Sequence, residues 1–105
     1  MNTIFDALAD PTRRHILDKL RERPHLVGEL ATRLSASQPS ISKHLRVLRE
    51  VGLVQVRQDA QRRWYELRIE PLAEIEAWLA YYRRLKDEAL PQLDEYLTRL
   101  QNNDP

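Results

Sequence analysis

The residues best suited to chemistry in this 105-residue chain lie in one short stretch, from Ser37 to Arg46. Ser40 and His44 are four residues apart, a spacing that would place a nucleophile and a general base on one helical face. No acidic residue is spaced to orient the histidine, and the chain has no cysteine and only two glycines, too few for a glycine-rich phosphate loop. These observations argue against an enzyme.

The same stretch carries side chains of the kind that recognise nucleic acids. Glutamine pairs bidentately with adenine, lysine approaches guanine acceptors, and serine hydroxyls adapt to bases or phosphates. Between Arg33 and Arg68 there are 8 basic and 3 acidic residues, although the whole chain has a net charge of only +1. A basic stretch is also typical of a solvated surface, so the charge alone leaves both interpretations open.

Two predicted helices position these side chains. Ile41, Leu45 and Leu48 repeat at helical spacing after Ser37, which is a good N-cap. A shorter apolar pattern over 26–34 predicts a buried helix just before it, and only a three-residue polar turn separates the two. Two helices that flank so short a turn form the helix-turn-helix pattern.

A predicted β-hairpin follows the second helix. After Gly52, a residue type that favours helix ends, the apolar period changes from helical to alternating. The alternation predicts strands over 53–57 and 63–69, joined by a polar tip at 58–62. One face of the second strand is predicted to carry Tyr65, Leu67 and Ile69. A hairpin in this position is a wing.

Further helices are predicted on both sides of this motif. The pair Asp10-Pro11 is a strong helix start, because the carboxylate caps free N–H groups and proline needs no donor there. His25, in the following turn, is expected to be a turn residue. Pro71 opens a long amphipathic helix that Pro91 should kink or split.

The predicted fold class is therefore mainly α with a small β-hairpin, a winged helix-turn-helix. We expect one domain over residues 1–100. Its parts are the flanking helices 1–23 and 71–100, the helix-turn-helix 26–51, the wing 53–69, and after the domain a polar tail 101–105. The chain has no signal-like N-terminus and no apolar run that could span a bilayer, so we expect a cytoplasmic protein with no membrane partner.

Three segments resemble the ArsR family of bacterial repressors. They are residues 7–17 (ALADPTRRHIL), residues 28–31 (GELA) followed by 37–49 (SQPSISKHLRVLR), and residues 52–54 (GLV). Their order and gaps make the resemblance specific and extend it over nearly the whole chain. It implies a DNA-binding transcriptional repressor that binds an inverted-repeat operator as a homodimer.

In such a motif the N-terminal half of the second helix enters the major groove. The expected DNA contacts are Ser37, Gln38, Ser40, Ser42, Lys43, His44 and Arg46 from the helix, with Arg57, Arg62 and Arg63 from the wing. One alternative is that Gln38 and the serines only cap and solvate the helix. Arg46 and Arg49 could contact the DNA backbone or be solvated. Many relatives have Gly-Arg at the wing tip where this chain has Ala60-Gln61, which leaves the reach of Arg62 open.

The resemblance also implies that the first and last helices pair across a two-fold axis. The expected interface residues are Ile4, Phe5, Leu8, Trp78, Leu79, Tyr82, Leu85, Leu93 and Leu97. Trp78 and Leu79 could instead close the core of the monomer, and we expect both roles. A second function class also stays open, a winged-helix module whose basic face meets an acidic protein.

Metal-responsive members of the family place cysteines around the positions of Leu26 and Gly28, and another family site uses histidines in the last helix. This chain has no cysteine, and no histidine follows His44. The resemblance is therefore to the metal-free branch, and no metal or other cofactor is expected. The sequence does not indicate whether a small-molecule inducer exists.

Overall fold

The computed structural model describes the backbone of residues 2–89 and 91–102, and the side chains of residues 2–87 and 95–102. The chain forms two compact units, residues 1–73 and 74–105. The elements in order are α1 (Ile4–Ala9), α2 (Pro11–Glu22), α3 (Val27–Arg33), α4 (Gln38–Glu50), β1 (Val54–Asp59), β2 (Arg62–Leu67), α5 (Leu72–Ala89) and α6 (Pro91–Asn102). None of the helices in this described portion is long and apolar enough to cross a membrane.

The predicted start of α2 is confirmed by its cap. The carboxylate of Asp10 accepts hydrogen bonds from the backbone N–H groups of Thr12, at 2.8 Å, and Arg13, at 3.2 Å. Pro11 occupies the first helical position, where its missing N–H costs no intrahelical hydrogen bond. Asp10 therefore both ends α1 and begins α2, which fixes the path of the chain between them.

The core of the first unit is built from apolar side chains of α1 to α4 and the hairpin. Its buried hydrophobic members are Ile4, Ala7, Ile16, Leu20, Leu30, Ala31, Ile41, Leu45, Leu48, Leu53, Val54 and Tyr65. The predicted apolar face of α4 is confirmed, since its three members are all at most 1% exposed. Ile4 is a correction: it is only 4% exposed, so it belongs to the core of the single chain and offers almost no surface to a partner.

Two residues in the left-handed region turn the chain at the ends of α3 and α4. Ser35 has a φ of 52° in the turn between these helices. Gly52 has a φ of 81°, where glycine has no steric penalty, and a Cβ added there would lie 3.3 Å from the Cγ of Pro71. The predicted end of α4 near Gly52 is thus confirmed, and the turn directs the chain into β1.

The hairpin is longer at its tip than predicted. The strands pair antiparallel from Val54 opposite Leu67 to Asp59 opposite Arg62, so the predicted five-residue tip is wrong. A two-residue turn, 60–61, remains, and Ala60 has a φ of 56°, a position where glycine is usually favoured. The polar composition of residues 58–62 suggested a loop, but polar and charged side chains are tolerated on a solvent-exposed hairpin.

The far end of β2 also differs from the prediction. The strand ends at Leu67, and Ile69 lies beyond it with 63% of its surface exposed, so it does not share the buried face of Tyr65. In the second unit the structure describes α5 to Ala89 and α6 from Pro91, and the junction at residue 90 lies outside the described residues, so a kink or split at Pro91 stays a prediction. α6 extends into the predicted polar tail as far as Asn102, and the single-domain interpretation stays a prediction.

His25 is a buried residue that joins three elements, which corrects its interpretation as a turn residue. It is 0% exposed, and its backbone pairs with that of Tyr65 through hydrogen bonds of 3.0 and 2.8 Å. Its Nε2 lies 2.8 Å from Nη1 of Arg33, which can only donate, and its Nδ1 lies 2.8 Å from the carbonyl oxygen of Arg23, which can only accept. These partners fit the tautomer in which Nδ1 donates and Nε2 accepts.

We expect His25→Leu to lower the free energy of unfolding by about 1–3 kcal/mol, because it leaves two polar groups without their partner. Urea denaturation followed by circular dichroism measures the change. The control is His15→Leu, at an exposed position of α2, which should change stability by no more than about 0.5 kcal/mol. Equal effects of the two substitutions would contradict the role given to His25.

Candidate nucleic-acid interface

The exposed face of α4 is the first part of the candidate site. The hydroxyl of Ser37 accepts a hydrogen bond of 3.2 Å from the backbone N–H of Ser40, so Ser37 caps the helix as predicted. Burial of the apolar face turns the opposite face to solvent. The exposed residues of α4 include Gln38, Ser42, Lys43, Arg46 and Arg49, of which Lys43 and Arg46 lie opposite the apolar face, and Ser40 is half-buried.

His44 does not join this exposed face. The residue is half-buried, and its Nδ1 lies 3.4 Å from Nη1 of Arg13 on α2. Arg13 is itself held by the carbonyl oxygens of Ala7, at 2.7 Å, and Asp6, at 2.9 Å. Because its ring is directed toward the start of α2, we remove His44 from the predicted DNA contacts.

Strand alternation divides the wing cations between two faces of the hairpin. Arg57 shares the outward face with Glu66, to which its Nε donates, and its Nη1 lies 3.9 Å from Asp59. Arg63 lies on the same face as buried Tyr65, with its guanidinium carbon 5.8 Å from the centre of that ring. Arg62, at the turn, is exposed.

Arg57 is thus paired within its own hairpin, and its contact with DNA stays a prediction. The carboxylates of Glu66 and Asp59, on the same hairpin, pair with its guanidinium group. The guanidinium would have to leave these carboxylates to bind a phosphate. The other cations differ. The salt bridges among the described side chains do not include five of the cations: no carboxylate lies within 4.0 Å of Lys43, Arg46, Arg49, Arg62 or Arg63.

A chain of polar contacts runs along the outward face of the hairpin. The hydrogen bond from Arg57, with a second from Gln55 at 3.0 Å, holds the pKa of Glu66 below its usual range. Gln55 also accepts from Arg68 at 2.8 Å, and Arg68 donates to Glu70 at 3.1 Å. The negative charges of the hairpin are thus paired on the outward face.

Comparison with known proteins identifies the family. A model described as "Bacterial regulatory protein, arsR family" matches residues 10–56, from the cap of α2 into β1. Over 90 residues the chain is 33% identical to the transcriptional repressor SdpR of Bacillus subtilis strain 168, which covers 86% of this chain and 100% of that protein. This chain belongs to the ArsR family.

Solved ArsR structures share its fold. An ArsR-like transcriptional regulator from Rhodococcus sp. RHA1 is 30% identical with a TM-score of 0.72, over 89% of this chain and 88% of that one. The homodimeric winged helix-turn-helix DNA-binding domain of a possible ArsR-family regulator from Mycobacterium bovis is 29% identical with a TM-score of 0.60, over 78% and 76%. The predictions of a winged helix-turn-helix and of a transcriptional regulator that is not an enzyme are confirmed.

Most of the predicted interface residues of this ArsR protein are exposed in the single chain. The exposed fractions are 43% for Phe5, 51% for Trp78, 39% for Leu79, 51% for Tyr82, 40% for Leu85 and 44% for Leu97. Leu8 is half-buried, and Leu93 lies outside the described side chains. Sequence reasoning missed Tyr81, which is 54% exposed and packs edge-on to Tyr82 at 5.4 Å between ring centres.

Sequence reasoning also left Arg49 undecided and did not place it beside the wing. In the structure Arg49, Arg46 and Arg63 line one small cleft. Alternation along β2 puts Arg63 on the face of Tyr65, but the approach of that face to Arg46 and Arg49 joins elements distant in sequence, which the sequence did not give. Among the described residues, no group of three or more histidine and acidic side chains could hold a metal ion.

We expect the carboxylate of Glu66 to titrate below the usual glutamate range, and Arg57→Ala to return its pKa toward that range, because the strongest hydrogen bond to the anion is lost. Side-chain carboxyl NMR shifts over an acid titration measure this. Since pairing lowers the pKa, it stabilises the folded hairpin above the ordinary range, and this contribution is lost as the pH falls through the lowered value. The control Arg62→Ala should leave the titration unchanged.

Proposed function

We propose that this ArsR-family protein represses transcription by binding duplex DNA as a homodimer, with one α4 helix of each protomer in the major groove. The observation that carries the proposal is the polarity of α4. One side of the helix is buried through Ile41, Leu45 and Leu48, while the opposite side is exposed and carries hydrogen-bond donors and cations without acidic partners. A helix of this kind fits the dimensions of the major groove.

Gln38 and Lys43 are the proposed base-reading residues. Both are exposed and lie in the N-terminal half of α4, the part of a recognition helix that contacts base edges. The amide of glutamine matches adenine, and the ammonium group of lysine matches the acceptors of guanine. Ser42 supplies an adaptable hydroxyl. At the start of α4 the N–H of Ser40 is bound to the Ser37 hydroxyl and Pro39 has no N–H, so the proposed backbone donor to a phosphate is the N–H of Gln38.

Arg62 is the proposed wing contact. It begins β2 directly after a two-residue turn and is exposed, so the tight hairpin carries its charge at the tip rather than in a long loop. Arginine at such a tip suits the strong negative potential of a narrow minor groove. Arg57 is left out of the contact set because Glu66 and Asp59 hold its guanidinium.

A homodimer is supported by the apolar surface of α5. Trp78, Leu79, Tyr82 and Leu85 follow helical spacing and are all at least 39% exposed, more than scattered surface residues require. The related domain from Mycobacterium bovis is homodimeric. Two-fold symmetry would place the two α4 helices about 34 Å apart, one turn of DNA, so the operator would be an inverted repeat.

We further propose that repression does not depend on thiolate-bound metal and needs no cofactor, because the chain contains no cysteine. The protein would act in the cytoplasm, where bacterial promoters are located. Release from DNA through a small molecule is not part of the proposal.

We expect Lys43→Ala to weaken binding to the DNA upstream of its own gene and to reduce the slope of log affinity against log salt by about 1, if Lys43 also neutralises a phosphate. Gln38→Ala should cost about 1–3 kcal/mol at the cognate site and little at random DNA. Fluorescence anisotropy at several salt concentrations measures both. The control is Arg21→Ala, which removes an exposed charge from α2. No binding by the wild-type protein at low salt would favour the acidic protein partner instead.

We expect the wild-type protein to sediment as a dimer and Leu79→Glu to sediment as a monomer, because a charge would be buried without a partner in the apolar interface. Arg84→Glu, at an exposed position on the other side of the same helix, is the matched control and should stay dimeric. Analytical ultracentrifugation measures the masses. A wild-type monomer at all concentrations would contradict the proposed interface.

A further inference from the structure

A small cleft lies between the second half of α4 and the start of β2. Its volume is about 200 Å³. It is lined by Ser42, Leu45, Arg46, Arg49, Arg63 and Tyr65. Three of these six residues are arginines and two more, Ser42 and Tyr65, have hydroxyls, so most of the polar groups around the cleft can donate hydrogen bonds. The aliphatic and aromatic members form its inner wall, since Leu45 and Tyr65 are buried in the core.

The hairpin register brings the third arginine to the cleft. Arg63 is opposite Gln58 and two residues from Tyr65, so strand alternation puts its side chain on the face that packs toward α4. Its guanidinium carbon lies 5.8 Å from the centre of the Tyr65 ring, within the range of a cation–π interaction. The Tyr65 ring therefore holds the Arg63 guanidinium at the wall of the cleft.

The cleft has cations but no acidic residue in its lining. Glu66 and Asp59, the nearest carboxylates in the hairpin sequence, are directed to the outward face, where Arg57 pairs with both. Glu50, the next residue after Arg49, accepts a hydrogen bond from Asn2 at 3.1 Å. Three arginines that line one cleft repel each other, and an anion bound among them would remove that repulsion.

The geometry points to a site for one phosphate group. We propose that Arg46, Arg49 and Arg63 bind a single phosphate in this cleft, with the hydroxyl of Ser42 as a further donor. Guanidinium groups match phosphate oxygens with two parallel hydrogen bonds. The phosphate could belong to the DNA backbone, in which case the inference rests on the proposed function, or to a free phosphate ion.

Two-dimensional NMR of the arginine side chains, with inorganic phosphate added at constant ionic strength, tests the free ion. The Nε–Hε signals of Arg46, Arg49 and Arg63 should shift along one saturable curve. Arg68 is the internal control, because it is on the hairpin but paired with Glu70 on the outward face. Arg63→Ala should weaken phosphate binding about fivefold or more, as the loss of one charge-assisted hydrogen bond implies.

Methylphosphonate scanning of the upstream duplex tests the DNA backbone. Each neutral linkage removes one phosphate charge in turn. If the cleft binds DNA, one position in each half-site should weaken the wild-type protein about fivefold and leave the already weakened Arg63→Ala variant unchanged. Arg68→Ala, the matched charge control, should lose as much affinity at that position as the wild type. Arg63→Lys keeps the charge but not the planar guanidinium group, so it should regain only part of the affinity loss that the wild type shows at that neutral linkage.

Either a saturable phosphate shift or a coupled DNA position would support the cleft as a phosphate site and would identify the source. The absence of both would overturn the inference. A different result would overturn the proposed function, namely a wild-type protein that binds no DNA. In that case the NMR titration still shows whether the cleft binds phosphate. If the protein binds its operator, but no methylphosphonate effect depends on Arg63 and no arginine signal shifts with phosphate, the proposed function stands and the phosphate site is rejected.

Discussion

The burial of one side of α4 determines what the rest of the molecule can do. Ile41, Leu45 and Leu48 are almost fully removed from solvent, and truncating any of them to alanine would cost about 2–5 kcal/mol, a large part of the stability of a small domain. The helix therefore cannot rotate about its axis. Its polar side has one fixed direction, so Lys43 is held toward solvent by the packing of the opposite side of the helix.

Strand alternation in the hairpin fixes the direction of its charged side chains in the same way. Alternation along two paired strands sends Arg57 and Glu66 to the outward face, where they neutralise each other, and sends Arg63 toward α4. A hairpin with an unremarkable total charge thereby presents unpaired cations only at its tip and beside the helix. Surface pairs such as these contribute little to stability. Their effect here is to decide which arginines remain available to an anion.

The sequence predicted those features that follow from local rules. Spacing gave the apolar face of α4, and the cap residues Asp10 and Ser37 gave two helix starts, because each rule concerns neighbours in the chain. It could not give the partners of His44, Arg57 or His25, since these depend on elements distant in sequence. The hairpin tip was predicted too long because a two-residue turn with Ala60 at positive φ has no clear signal without glycine.

The backbone pairing of His25 with Tyr65 has a mechanical consequence. It adds the segment between α2 and α3 to the edge of β2, and the buried ring ties the same segment to Arg33 at the end of α3. The wing and the helix-turn-helix are thereby fastened to each other at a point remote from the exposed face of α4. The two reading elements form one preorganised body, and little conformational entropy remains to be lost when they meet a ligand.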